Sequence, residues 1–91
     1  MLTVVAYDIT DERRLRKIAT ICEDYGLRVQ YSVFECRLET HLFDQFWNEL
    51  LATIDSATDR LVAYKVCGTC AREIRDAGLQ THQQKIVAYV F

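Results

Sequence analysis

The chain has 91 residues, a formal net charge of −2 at pH 7 and a hydrophobic content of 51%. That length fits one domain, and the apolar content excludes a disordered chain and is enough for a core without disulfides or metal. No run approaches the roughly 18 apolar residues of a membrane span, and Met1 leads straight into a strand pattern without the charged and apolar regions of a signal peptide. The expectation is one domain over residues 1–91, cytoplasmic and without membrane association, in which Cys22, Cys36, Cys67 and Cys70 stay reduced.

Charge is distributed unevenly. Residues 1–38 carry six basic and six acidic groups, residues 39–59 none and five, and residues 60–91 five and two. The middle of the chain therefore makes an acidic face. A surface for a polyanion has to be built from Arg13, Arg14, Arg16, Lys17 and Arg28, or from the basic final third.

Leu2 to Ile9 is a near-continuous apolar run of strand-forming residues, which suits a central strand covered on both faces. Thr10 is placed to cap the helix that follows, Asp11 and Glu12 put negative charge in its first turn, and Gly26 can close it in a left-handed conformation. The apolar stripe of this helix is Leu15, Ile18, Ala19, Cys22 and Tyr25, so its basic residues face solvent. Alternation through Leu27, Val29, Tyr31 and Val33 shifts phase to Phe34, Cys36 and Leu38. A turn or bulge near Ser32 is therefore required, giving two short strands or one kinked strand.

After the candidate cap Thr40, the residues Leu42, Phe43, Phe46, Trp47, Leu50, Leu51 and Ile54 predict a second helix. A polar turn from Asp55 to Asp59 precedes a strand over Leu61 to Cys67. A bend at Gly68, a short polar piece, Gly78 and a last strand from Ile86 to Phe91 complete the chain. The strings Val5-Ala6-Tyr7, Val62-Ala63-Tyr64 and Val87-Ala88-Tyr89 are unequally spaced and read as shared strand composition. The order predicts an α+β, ferredoxin-like βαββαβ domain with both helices on one face of the sheet. The additional C-terminal strand has to pair in its own sheet or on a partner's, and the second option makes a homodimer natural.

Asp8 interrupts an apolar strand at its carboxyl end. It reads either as a turn-forming residue or as a hard oxygen ligand for Mg²⁺, Mn²⁺ or Ca²⁺, a metal that could activate water against a phosphodiester. A single carboxylate makes a poor site, so a metal at Asp8 calls for a twofold axis that doubles it. Arg13, Arg14, Arg16 and Arg28 can pair with phosphates, or they form a solvated face interleaved with Asp11, Glu12 and Asp24. Cys67-Gly68-Thr69-Cys70 has the spacing of half a zinc site or a redox pair, with His82 twelve residues on. Without a second close ligand pair it reads first as reduced thiols. Tyr7, Tyr31 and Phe34 can stack on bases or fill the core.

The strand Val4-Val5-Ala6-Tyr7-Asp8-Ile9, the Arg13-Arg14 helix and the string Gly26-Leu27-Arg28-Val29-Gln30-Tyr31-Ser32-Val33-Phe34-Glu35-Cys36 together resemble the smaller of the two core CRISPR adaptation proteins, the Cas-two family. The resemblance covers nearly the whole chain. It implies a ferredoxin-like homodimer that bridges the integrase partner protein, holds a DNA duplex and serves spacer acquisition. It also implies a metal-dependent endonuclease capacity on single-stranded RNA or double-stranded DNA, with Asp8 holding Mg²⁺ or Mn²⁺ across the dimer axis. Tyr7, Asp8, Arg28, Ser32 and Phe34 match the family's proposed active region, while Leu15 and Lys17 stand where some members have Arg. A non-catalytic DNA-binding scaffold with a structural Asp8 is the alternative reading, and a small-ligand regulatory module on the same fold is a third.

Overall fold

The structure, a computed structural model, describes residues 2–73 together with Arg75 and Ala77. Its elements are β1 (Leu2–Asp8), α1 (Glu12–Tyr25), β2 (Leu27–Gln30), β3 (Val33–Arg37), α2 (Thr40–Thr53), β4 (Arg60–Val66) and a short α3 (Gly68–Arg72). The strands lie in the order β2-β3-β1-β4, and every neighbouring pair is antiparallel. This is the ferredoxin-like arrangement expected, since each helical crossover leaves room for one strand to insert between the two it joins. No helix among the described residues is long and apolar enough to cross a membrane.

The apolar run of β1 is explained by its central place. Val5 and Tyr7 point into a core built with Ile18 and Cys22 of α1, Phe34 and Cys36 of β3, and Phe46 and Leu50 of α2. On the opposite face, as strand alternation requires, Val4 packs with Val29 and Val33, flanked by Ala6 and Val66. Phe34 and Phe46 are fully buried, and each contributes about 1.5–3 kcal/mol relative to exposure. The helices join through Tyr25, whose ring stacks on Phe46 at 4.7 Å between centroids. Its hydroxyl donates to Glu49 and accepts from Gln45.

The phase change after Val33 has two causes. Tyr31 and Ser32 form a two-residue turn, and the β2/β3 register shifts between Arg28 and Gln30, leaving Val29 as an extra residue. The bulge keeps Val29 with Val33 on one face while Phe34 and Cys36 turn to the other.

Several local expectations are corrected. Asp11 caps α1 in place of Thr10, its carboxylate accepting from the Arg14 N–H at 2.9 Å, because Thr10 is engaged with Asp59. Glu39 occupies the cap position of α2 without a side-chain cap bond, and Thr40 is already helical. Leu51 is 47% exposed, since it sits one position beyond the buried Leu50 and is rotated off the packed face. Gly26 is extended, with φ −155° and ψ −168°, and is not left-handed. A close approach explains the glycine: a Cβ there would lie 2.5 Å from the Glu35 carbonyl oxygen and 2.9 Å from Cys36 Sγ. The predicted strand from Ile86 to Phe91, Gly78 and His82 lie outside the described residues.

Asp59, expected only as part of a polar turn, proves central. Its side chain is 0% exposed. It accepts from Arg14 Nε at 2.8 Å, the Asp55 N–H at 2.9 Å, Thr58 Oγ1 at 3.2 Å and the Thr10 N–H at 3.3 Å. The Arg14 guanidinium first, then the Asp55 and Thr10 N–H groups, hold the Asp59 carboxyl well below the usual carboxylate range. This node joins the α2–β4 turn to the loop after β1.

Gly26→Ala is expected to lower stability by about 1–3 kcal/mol in urea unfolding, because backbone must move to admit the methyl group. Asp59 has a folded-state pKa below its unfolded value, so its contribution is fully present above roughly pH 4 and is lost as pH falls below that value. Asp59→Asn should lower Tm at pH 7 by on the order of 5 °C and flatten the acid side of the Tm-against-pH curve. An unchanged acid limb in thermal melts would place the acid sensitivity elsewhere.

Candidate functional site

β1 delivers Tyr7 and Asp8 to the same end of the sheet but to opposite faces, because consecutive strand residues alternate. Asp8 is exposed and in register with Arg60 of β4, and the two share an open groove of about 170 Å³ with Ala6, Tyr7 and Val62. No hydrogen bond or ion pair engages the Asp8 carboxylate among the described residues. It is thus available to an external cation or donor. Arg60, which the sequence reading did not single out, puts a guanidinium-bearing side chain beside it. Antiparallel pairing of β1 with β4 was the signal that could have found it.

Tyr7 is buried at 6% exposure and stacks on the fully buried Phe34, with 6.2 Å between ring centroids. Its backbone N–H donates to the Ser32 carbonyl at 3.1 Å, which ties β1 to the β2–β3 turn. Burial foremost, with the adjacent Cys22 thiol, pushes the Tyr7 phenol up to about 12. The phenol therefore stays protonated and is unsuited to act as a base at neutral pH. Phe34 is a core residue beneath Arg28, whose guanidinium carbon lies 5.0 Å from the ring centroid. Arg28 also donates through Nη1 to the Tyr31 carbonyl at 2.6 Å and through Nη2 to Glu23 at 3.4 Å. Of the five residues expected to share an active region, Tyr7, Phe34, Arg28 and Ser32 therefore gather around the turn. The Asp8 side chain belongs to the other face.

The basic set also divides. Arg14 is held by Asp59, and that hydrogen bond raises its pKa further. Arg13, Arg16 and Lys17 are exposed. Arg16 and Arg28 line a second groove of about 150 Å³ with Tyr7, Leu15, Ala19 and Tyr31. Tyr31 is 77% exposed, so among the three aromatics considered for base stacking it is the one presented to solvent.

A divalent cation can be judged on donor chemistry. Asp8 offers a hard carboxylate suited to Mg²⁺ or Mn²⁺, but the described residues contain no group of three His, Cys, Asp or Glu side chains that could hold a metal. The chain on its own thus fits such a cation through one carboxylate, with water or a second copy supplying the remaining oxygens.

The family described as CRISPR associated protein Cas2 matches residues 1–74. The chain is 41% identical over 75 residues to CRISPR-associated endoribonuclease Cas2 4 of Rhodospirillum rubrum, an alignment covering 82% of this chain and 60% of that relative. Thus the match spans about three fifths of that protein's length. It is 37% identical over 84 residues to CRISPR-associated endoribonuclease Cas2 1 of Moorella thermoacetica, covering 87% of this chain and 88% of that one. The crystal structure of Streptococcus pyogenes Cas2 at pH 6.5 superposes with a TM-score of 0.77 at 36% identity, covering 86% of this chain and all of that one. A ferredoxin-like α+β chain with a free carboxylate at the end of its first strand and a basic first helix is the class defined by fold and site. The chain belongs to the Cas2 family of CRISPR-associated proteins.

The division of the arginines has a measurable consequence. Arg16→Ala should leave Tm within about 2 °C of wild type and, if α1 meets phosphates, reduce the slope of log Kd against log salt for duplex DNA by about 1. Arg14→Ala should instead lower Tm by several degrees, because the buried Asp59 carboxylate loses its main donor. Melting curves and salt-titrated binding on both variants separate the two roles.

Proposed function

We propose that the chain is the nucleic-acid-handling subunit of a CRISPR adaptation assembly. It works as a twofold dimer that holds a DNA duplex against the integrase partner protein and has a Mg²⁺- or Mn²⁺-dependent phosphodiesterase capacity at paired Asp8 residues. The supporting observation is the Asp8 carboxylate itself: exposed at a strand end, without a protein partner among the described residues, and opening on a groove. The endoribonuclease names of the relatives from R. rubrum and M. thermoacetica point the same way.

Asp8 would hold the cation, which when bound supplies Lewis-acid activation of the attacking water and of the phosphate. The chain's own part is to place that carboxylate through the β1/β4 register and to offer cationic side chains to the nucleic acid. Arg60 lies nearest in the fold, and Arg13, Arg16, Lys17 and Arg28 lie toward the helix side. Tyr7, Ser32 and Phe34 act by fixing the strand end and the turn, not by touching the scissile bond.

A second reading, a non-catalytic scaffold that binds duplex DNA and a protein partner, is favoured by the isolation of Asp8 from the Tyr7, Phe34 and Arg28 group. The deciding measurement is cleavage of labelled RNA and DNA panels with Mg²⁺, Mn²⁺ or chelator. Under the nuclease reading Asp8→Asn loses at least about 100-fold in rate while the circular dichroism spectrum and Tm stay at wild-type values. Full metal-dependent cleavage by Asp8→Asn, in material shown free of other nucleases, would overturn that reading. Spacer acquisition that survives Asp8→Asn but fails on altering Arg13, Arg16 and Lys17 together would support the scaffold.

A further inference from the structure

The four cysteines fall into two classes. Cys22 and Cys36 are 0% and 1% exposed in the core, where burial pushes their thiols up to about 12 and about 11. Cys67 and Cys70 are exposed, at the point where the chain leaves β4. We propose that Cys67 and Cys70 are a redox-active dithiol that closes to an intramolecular disulfide, a modification site independent of Asp8 and of the basic face of α1.

The geometry begins with the backbone. The Ala71 N–H donates to the Cys67 carbonyl at 2.8 Å, so residues 67–71 make one helical turn. Residues three apart on such a turn have Cα atoms roughly 5 Å apart. That separation lies within the roughly 4.4–6.8 Å that a disulfide spans. The Cys70 N–H donates to Cys67 Sγ at 3.4 Å, which turns the Cys67 side chain toward residue 70. No backbone movement is needed to bring the two thiols onto one side of the turn.

The pair is also chemically unequal. The Cys70 N–H and thiol favour the Cys67 thiolate and lower its pKa, while the Cys70 thiol is raised by the same contact. Cys67 is therefore the attacking sulfur and Cys70 the resolving one. With a low-molecular-weight disulfide RS–SR as oxidant, the Cys67 thiolate attacks one sulfur, forming Cys67–S–SR and releasing RS⁻. Cys70, giving up its proton, then attacks Cys67 Sγ, forming the Cys67–Cys70 bond and releasing the second thiol. The protein loses two electrons and two protons, and the oxidant becomes two thiols. Metal binding is the weaker use of this pair, because two sulfurs are half of a tetrahedral zinc site and the described residues supply no third ligand group. The disulfide would fix the turn next to the last β1/β4 rung, Leu2 with Val66.

The test uses the full chain, reduced and then equilibrated under nitrogen in glutathione buffers from fully reduced to fully oxidised, quenched with acid, alkylated and read by intact mass and peptide mapping. The expected result is the loss of two hydrogens and of two alkylatable thiols, mapped to a Cys67–Cys70 bond within one chain. Cys22 and Cys36 should be alkylated only after unfolding. Cys70→Ser should accumulate one glutathione on Cys67, whereas Cys67→Ser should react at least about 10-fold more slowly. Circular dichroism on both variants checks that they fold. Retention of both thiols in excess oxidised glutathione, a bond between chains, a stable glutathione adduct on the wild type, or equal rates for the two variants would each overturn the proposal.

Discussion

A carboxylate withdrawn from water is costly unless donors surround it, and Asp59 satisfies that condition by drawing three segments together. Arg14 reaches it from α1, Thr10 from the loop after β1, and Asp55 and Thr58 from its own turn. The residue that follows, Arg60, begins β4 and pairs with Asp8. The position of the candidate ligand is therefore inherited from a node two residues away on one strand and one residue away on the other. It also consumes Arg14, so the most conspicuous double arginine in the sequence contributes one structural and one solvent-facing cation.

Strand alternation imposes the second constraint. Tyr7 and Asp8 are adjacent in sequence, yet one completes the core with Phe34 and the other faces a groove on the opposite side. Arg28 follows Tyr7, because it sits over the Phe34 ring and is tied to the Tyr31 carbonyl. A phosphate contacted by Arg16 and Arg28 and a cation held by Asp8 would thus lie on different faces of one chain. A single protomer does not join them into one catalytic pocket.

Much of the fold was legible because its signals are periodic or local. The near-continuous apolar run of β1 reported burial on both faces, the three-to-four spacing in residues 42–54 reported α2, and the phase change near Ser32 reported the turn. What escaped was decided by contacts distant in sequence. Thr10 is a fair cap by residue type, but Asp11 is a stronger one and Asp59, 49 positions away, engages Thr10. Gly26 suggested a left-handed stop, yet the glycine answers the Glu35 carbonyl pressing against it from β3. At the site, Asp8 was found by its incongruity within an apolar strand, and Tyr7 and Phe34 were named with it by family resemblance. Their burial and stacking depend on which face each occupies. Arg60 carried no local signal, since only the β1/β4 register brings it beside Asp8.

The isolation of Asp8 also determines how metal, dimer and activity must relate. One carboxylate provides only one or two of the roughly six oxygens that Mg²⁺ takes, and a guanidinium in the same groove weakens the field that would attract a cation. In the proposed dimer, two Asp8 carboxylates brought together at the axis would repel one another. A divalent ion between them reverses that sign. Cation binding and association of the two chains would then be linked, each strengthening the other by mass action. A scaffold in which Asp8 only shapes the strand end carries no such linkage, because its carboxylates need not approach one another. The two readings therefore differ in the thermodynamics of assembly before any phosphodiester bond is cut.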